Sequence, residues 1–272
     1  MLCDYHIHTK YSFDGDISAT PDAICEAAIA LGLDDIAFTD HYEVNALPEG
    51  IDMPYDATSA FEDIMRAREK FGKQINITYG IEVGQASQYP DIANKFLTEY
   101  PVEFVLASLH NLRCKPDFYY MDFSQISEEE TRQMYLDYID ELKEMLLSLD
   151  KADAVGHITY PFRYVAQAGK SVDLTPYYDR LSSLFELLIS KEIALEINAS
   201  THAKGYGFTM PSEELISLYR ECGGKLITLG SDAHSPAHVG ASLDFAAGLA
   251  KKYGFNYATV IRKGQKELIK LT

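Results

Sequence analysis

Residues 2–9, LCDYHIHT, set two histidines one residue apart inside a short apolar run, and the turn DGD at residues 14–16 follows closely. On a strand, alternate side chains share a face, so His6 and His8 point the same way, with Asp4 on that face too. Such a pair has two readings. The histidines are either half-buried and hydrogen-bonded to backbone, or the first two ligands of a metal site completed elsewhere in the chain.

Working outward, short apolar or β-branched runs recur: DIAFT, INITYGIEV, VEFVLASL, DAVGHI, IALEIN and KLITLG each read as a buried strand. Helical patterns separate them, such as PDAICEAAIALG, which opens with Pro and closes with Gly, ATSAFEDIMRAREKFG and SEEETRQMYLDYIDELKEMLLSL. Three more fit TPYYDRLSSLFELLISK, PSEELISLYREC and GASLDFAAGLAKKYG. This alternation implies βα units and a parallel sheet, open or closed. The strand ends choose between the two, because each carries a polar ligand type: His6 and His8, Asp40 and His41, Glu82, His110, His157, Asn198, then Asp232 with His234. A parallel barrel brings all its C-terminal strand ends to one mouth, whereas an open sheet brings together only a few. The expected fold is therefore an α/β, TIM-like barrel of about seven strands. Nothing marks a domain boundary, so residues 1–272 read as one domain, with YATVIRKGQKELIKL near the end as an added strand or hairpin.

The individual motifs differ in weight. An Asp-His pair in FTDHYE is ordinary in a turn, and a lone histidine at the end of a strand, as in ASLHNL or VGHITYP, is ordinary in a core. Glu82 in GIEVGQ says more, since a carboxylate inside an apolar strand is costly unless it is paired or binds a cation. LGSDAHSP repeats the same-face spacing with Asp232 and His234 after a Gly-Ser approach. Six of the eight histidines (His6, His8, His41, His110, His157, His234) lie at or just past strand ends. With Asp14, Glu82 and Asp232 they make nine nitrogen or oxygen donors, enough for two or three divalent ions. Because no cysteine belongs to the set, zinc, manganese or iron at a catalytic centre is favoured over a closed structural zinc site.

Composition excludes other classes. A net charge of −17 opposes binding of long nucleic acid through phosphate neutralisation. The apolar runs are too short to cross a bilayer and the start of the chain lacks the order of a signal peptide, so a cytoplasmic protein with no membrane partner is expected. Cys3, Cys25, Cys114 and Cys222 are scattered without a CxxC pair, consistent with reduced thiols.

DYHIHTKYSFDG, FTDHYE, IEV, SLHN, VGHI and SDAH, in this order over residues 4–234, resemble the motif series of the polymerase and histidinol phosphatase (PHP) superfamily, and most of all its stand-alone histidinol-phosphatase branch. The resemblance implies a distorted (β/α)7 barrel with a trinuclear metal centre at the C-terminal mouth. It also implies that His6, His8, Glu82 and Asp232 hold one ion, that Glu82 bridges to a second held by His110 and His157, and that Asp14, His41 and His234 hold a third. Asp14 stands where some relatives have histidine. Asp40 reads as a residue that orients a ligand histidine, and Asp4 as a supporting or structural one.

The implied activity is metal-dependent hydrolysis of a small phosphomonoester, with L-histidinol phosphate the leading substrate. Alternatives are a nuclease or nucleotide phosphatase of the same superfamily and a non-catalytic metal-binding domain. Where the histidinol-phosphatase branch has an Asp-Leu and a basic residue after its His157 equivalent, this chain reads HITYPFRYV. Arg163 can still supply a guanidinium for phosphate, a surface arginine on a loop being the other reading. His202 and Lys204 are candidates to line the mouth, or belong to a flexible glycine-flanked loop. Asp232 and His234 are candidates to protonate the leaving group, and His238 has no assigned role.

Overall fold

A computed structural model describes residues 2–271 of the chain. Its strands are β1 (Cys3–Ile7), β2 (Asp35–Phe38), β3 (His41–Glu43), β4 (Asn76–Gly84), β5 (Phe104–Ser108), β6 (Ala154–Val155), β7 (Ala194–Asn198), β8 (Ile227–Gly230), β9 (Tyr257–Arg262) and β10 (Gln265–Lys270). Seven run in the order β1-β2-β4-β5-β6-β7-β8, each parallel to the next. The ring is drawn together where the segment after β8 meets β1: Ile7 bridges Ala233 in parallel, Asp232 N–H donates to the His6 carbonyl (2.9 Å) and His8 N–H to the Ala233 carbonyl (2.8 Å). The result is a distorted, nearly closed seven-stranded TIM-like barrel, as the sequence predicts.

The six expected helices form, and their ends follow local chemistry. Thr20 caps the helix Pro21–Ala30, whose first residue is proline, and Asp56 caps Ala57–Phe71. Ser127 and Glu130 make a reciprocal capping box at the start of Glu128–Ser148, where three acidic residues complement the helix dipole. Four α-helices among the described residues go unread in the sequence: the one-turn helices Ala46–Glu49 and Ser200–Ala203, then Pro90–Glu99 and Tyr160–Gln167. The last of these places Arg163 on a helix rather than a loop. β6 is only two residues long, and HYE, expected as a turn, is the short strand β3 paired in parallel with the far end of β4.

The two ends of the barrel differ. At the N-terminal end, the antiparallel hairpin β9–β10 covers the opening. The buried Ile261 carbonyl accepts from Thr78 Oγ1 (3.1 Å), Asn76 Nδ2 (3.0 Å) and Tyr5 Oη (3.2 Å), and Ile261 N–H donates to Tyr5 Oη (2.6 Å). Arg262 clasps the buried Asp35 carboxylate with Nε at 2.9 Å and Nη2 at 2.7 Å. Polar and charged donors are thus matched at the floor, leaving the C-terminal mouth for chemistry. Replacing Tyr5 by Phe strands the buried Ile261 N–H and is expected to cost about 1–3 kcal/mol. Urea unfolding checks this, and an unaltered midpoint would show that the hairpin does not depend on that hydroxyl.

Candidate metal centre

All nine predicted donor residues meet at the C-terminal mouth. Glu82 sits at the middle, completely buried on β4, opposite His41 of β3 and Leu106 of β5. Its Oε2 lies 3.3 Å from His6 Nε2, 3.5 Å from His8 Nε2 and 3.0 Å from His41 Nδ1. Oε1 lies 3.0 Å from His157 Nε2 and 3.3 Å from His110 Nε2, and those two nitrogens are 3.4 Å apart. Asp232 Oδ1 closes the first group at 3.6 Å from His6 Nε2 and 3.5 Å from His8 Nε2. Beside it, Asp14 Oδ2 faces His234 Nε2 at 3.0 Å and His41 Nε2 at 3.7 Å.

These spacings fit divalent ions. Donors about 2.0–2.1 Å from a tetrahedral ion stand about 3.4 Å from one another. His6 Nε2, His8 Nε2, His41 Nδ1 and Glu82 Oε2 are all buried without a hydrogen-bond partner, a costly arrangement for a polar atom unless a cation takes its lone pair. Overlapping donor sets (His6, His8, Asp232; His6, Glu82, His157; His8, Asp14, His41, His234; and His41, Glu43, His110) are each compact enough to hold an ion. Together they can coordinate two or three.

Supports behind the ring fix the imidazoles of His6, His8 and His110, and hold His157 through its backbone N–H. His6 Nδ1 meets Glu196 Oε1 at 2.6 Å, and the other Glu196 oxygen accepts from His157 N–H at 2.7 Å. His110 Nδ1 meets Glu43 Oε1 at 2.9 Å, an oxygen also 3.1 Å from His41 Nδ1. His8 Nδ1 meets Ser12 Oγ at 3.0 Å, and Ser12 in turn donates to Asp40 at 3.2 Å, so Asp40 acts on His8 through one hydroxyl. Asp4 instead accepts from Ser231 N–H and Oγ and from Gly240 N–H, anchoring the loop that carries Asp232.

Glu196 and Glu43 escape the sequence reading, although signals for both exist. Glu196 is a second carboxylate inside an apolar strand, and Glu43 stands two residues after His41, the same spacing as His6 and His8. Glycines make room for them. A Cβ on Gly84 would lie within 2.6 Å of three carboxyl atoms of Glu43, and one on Gly230 would strike Glu196 Oε1 and His6 Cβ.

The charges suit ligation. Burial, then the neighbouring His234 and His41, push His8 down to about 3, keeping it neutral with a free lone pair. Burial opposes ionisation of Glu82, yet His6, His41 and His110 hold it well below the usual carboxylate range, and Asp232 is held down likewise against burial by His6 and His8. Burial also lowers His41, but Glu82, Glu43 and Asp14 outweigh it and raise the group to about 9.

A cavity of about 640 Å³ opens over the cluster, lined by Asp14, His41, His110, His157, Asp232 and His234. Arg163 and Lys204 line it as well. His202 does not: its ring stacks on Phe245 at 3.7 Å and its Nδ1 lies 2.9 Å from Ser242 Oγ. His238, without an assigned role in the sequence, reaches the cavity wall.

A parallel β/α barrel with carboxylate-bridged histidine clusters at its C-terminal mouth defines a metal-dependent hydrolase. Residues 4–200 match the PHP domain model. The chain is 31% identical over 255 residues to the histidinol-phosphatase of Lactococcus lactis, covering 93% of this chain and 91% of the relative. It is 26% identical to a Thermotoga maritima protein named "Probable histidinol-phosphatase", with 95% of each chain covered. Among solved structures, the L. lactis histidinol phosphate phosphatase complexed with zinc, L-histidinol and phosphate superposes with a TM-score of 0.83 at 28% identity over 98% of both chains. The chain belongs to the PHP domain family.

Two outcomes are expected. Glu196→Gln keeps the size of the side chain but loses the charge behind His6, and should lower metal affinity about 10–100-fold by equilibrium dialysis; unchanged affinity would remove Glu196 from the support of the centre. An ion must displace the His41 proton, so zinc affinity should rise as pH increases toward about 9 and fall on acidification. Competition with a chromogenic chelator across that range measures it, and a flat profile would contradict the assignment.

Proposed function

We propose that this protein hydrolyses L-histidinol phosphate to L-histidinol and phosphate. The observation that carries the reading is a pair of cations without an ion-paired carboxylate on the wall of a cavity lined by the candidate metal ligands. Arg163 and Lys204 both face the cavity, and among the described residues no carboxylate forms an ion pair with either. Arg163 Nε is buried without a hydrogen-bond partner, its guanidinium lying 5.6 Å from the Tyr164 ring centroid. Burial, and then Arg163, lower the Lys204 ammonium against the opposing pull of Asp232 and Asp14. A phosphate monoester supplies the missing charge, and Arg163 can grip two of its oxygens at once. The L. lactis relative, similar over almost its whole length, is a histidinol-phosphatase.

In this reading His6, His8, Glu82 and Asp232 hold one divalent ion, Glu82, His110 and His157 a second, and Asp14, His41 and His234 a third. Such ions, of zinc, manganese or iron, supply Lewis acidity toward water and phosphate. The chain's own residues do the rest. Arg163 and Lys204 orient the phosphoryl group and neutralise charge as water adds to phosphorus and the ester P–O bond breaks. Asp232, held ionised among histidines, serves as a ligand and not as a proton donor. His234 would be a ligand as well, its Nε2 facing Asp14 at 3.0 Å and its Nδ1 committed to the Asp232 carbonyl at 3.0 Å, so the departing alkoxide takes its proton from water in the cavity.

No described helix is long and apolar enough to cross a membrane. The high negative charge favours a small phosphorylated substrate over long nucleic acid.

Phosphate release by the metal-loaded protein should be greatest with L-histidinol phosphate in a panel that includes mononucleotides, sugar phosphates and short oligonucleotides. Preference for a nucleotide would replace this reading. Arg163→Ala should retain its metal and lose about 100-fold in kcat/KM, the scale of a charge-assisted contact to phosphate. Full activity would return Arg163 to a structural role.

A further inference from the structure

Lys204 reaches the cavity with nothing of its own to hold it there: among the described residues no hydrogen bond or ion pair fixes its ammonium. The chain beyond it is open. Gly205 (φ +85°) and Gly207 (φ +80°) lie in the left-handed region, and a Cβ on either would meet no atom within 4 Å. The placement of Lys204 therefore depends on the turn that precedes it.

That turn is the short helix Ser200–Ala203, which follows β7. Lys204 N–H donates to the Ser200 carbonyl (3.0 Å) and Gly205 N–H to the His202 carbonyl (2.9 Å), so Lys204 is carried between the two. Ser200 secures the start, its Oγ meeting Asn198 Oδ1 at 2.7 Å and Asp232 Oδ2 at 3.2 Å. His202 secures the end. Its Nδ1 meets Ser242 Oγ at 2.9 Å, and its ring lies flat on Phe245 with 3.7 Å between centroids and 11° between planes.

The surface that His202 grips is itself fixed to the barrel. Gly240 N–H donates to the buried Asp4 carboxylate (2.9 Å), Leu243 N–H donates to the Gly240 carbonyl (3.2 Å), and Leu243 is fully buried. Ser242 departs from habit on two counts. It stands at the N-cap of the helix Leu243–Lys252, where a serine hydroxyl ordinarily accepts from N–H groups of the first turn, yet it makes no such bond. It is also a non-glycine residue at φ +60°, a sparsely populated conformation. Its hydroxyl serves His202 instead of its own helix.

We infer that His202 is a positioning residue for phosphate: it latches the turn after β7 onto the segment after β8 and so holds Lys204 where the phosphoryl group binds. This rests on the phosphatase reading of the site, and not on which monoester is hydrolysed. His202 touches no substrate, and its effect passes through Lys204.

The test is a double-mutant cycle of wild type, His202→Ala, Lys204→Ala and the pair, read by calorimetric titration of inorganic phosphate into the metal-loaded proteins. His202→Ala should weaken phosphate binding about 10-fold with metal content unchanged, whereas the same change made in Lys204→Ala should alter it by less than about 2-fold. Two milder variants dissect the latch. His202→Phe keeps the stack on Phe245 and loses the bond to Ser242, and Ser242→Ala loses that bond from the other side, so both should weaken phosphate to a similar and smaller extent. If His202→Ala loses its metal, the cycle is run with His202→Phe. Unchanged phosphate affinity in the His202 variants would overturn the inference. A loss of equal size with and without Lys204 would do so as well, because it would leave His202 a purely structural residue. Failure of the wild type to bind phosphate would overturn the phosphatase reading, and the role of His202 with it.

Discussion

The burial of Glu82 is the constraint from which the rest of the centre follows. A carboxylate in the interior of a barrel loses its hydration, and no amide or hydroxyl takes the place of water at Oε2. What surrounds it is imidazole: three rings on one oxygen and two on the other. Neutral histidines alone give little compensation, and protonated ones would repel one another within a cluster whose ring centroids stand 4–6 Å apart. Divalent ions resolve both problems, since they stabilise the carboxylate and bind histidine in its neutral form. The centre is thus arranged for cations before any substrate is considered.

A second layer gives the ring its rigidity. His6, His8, His110 and His234 each commit Nδ1 to an acceptor or hydroxyl of the protein, and Nε2 is left for the centre. His41 is reversed, turning Nδ1 toward Glu82 and Nε2 toward Asp14. It thereby stands between two donor groups, and Glu43 steadies it together with His110. One carboxylate behind two histidines couples their positions, so a disturbance at Glu43 reaches both. The glycines at strand ends belong to this layer, because Gly84 and Gly230 leave the volume that Glu43 and Glu196 fill.

The fold was legible because its chemistry and its periodicity coincide. Strand ends bearing His6, His41, Glu82, His110, His157 and Asp232 converge only in a closed parallel ring, and that convergence, more than any single run of residues, distinguishes a barrel from an open sheet. β3 was not legible: three residues cannot display an alternating pattern, and HYE is held as a strand by β4, more than thirty residues away. Arg163 was read against a possible loop because proline at 161 conceals a short helix, in which proline occupies the first turn where it is tolerated. His202 failed for a different reason. Its place in the chain is near the mouth, but a partner from a distant helix, Phe245, turns its ring aside. Glu196 could have been found by the reasoning that identified Glu82, since both are carboxylates on otherwise apolar strands.

Charge explains how an acidic protein accepts an anion. A net charge of −17 would repel phosphate if it were spread evenly. It is not spread evenly at the mouth. Glu82, Asp232 and Asp14 are arranged to be neutralised by ions, and Arg163 and Lys204 stand beyond them without carboxylates of their own. Within a cavity of low-dielectric walls these local charges outweigh the distant surface, which is screened by salt over about 10 Å. The acidic surface then favours cationic or zwitterionic molecules in the approach, and the cations on the cavity wall attract the anionic group of one that carries phosphate. The same division appears along the barrel axis: Arg262 and Asp35 neutralise each other at the sealed floor, while charges at the mouth are left for ligands to complete.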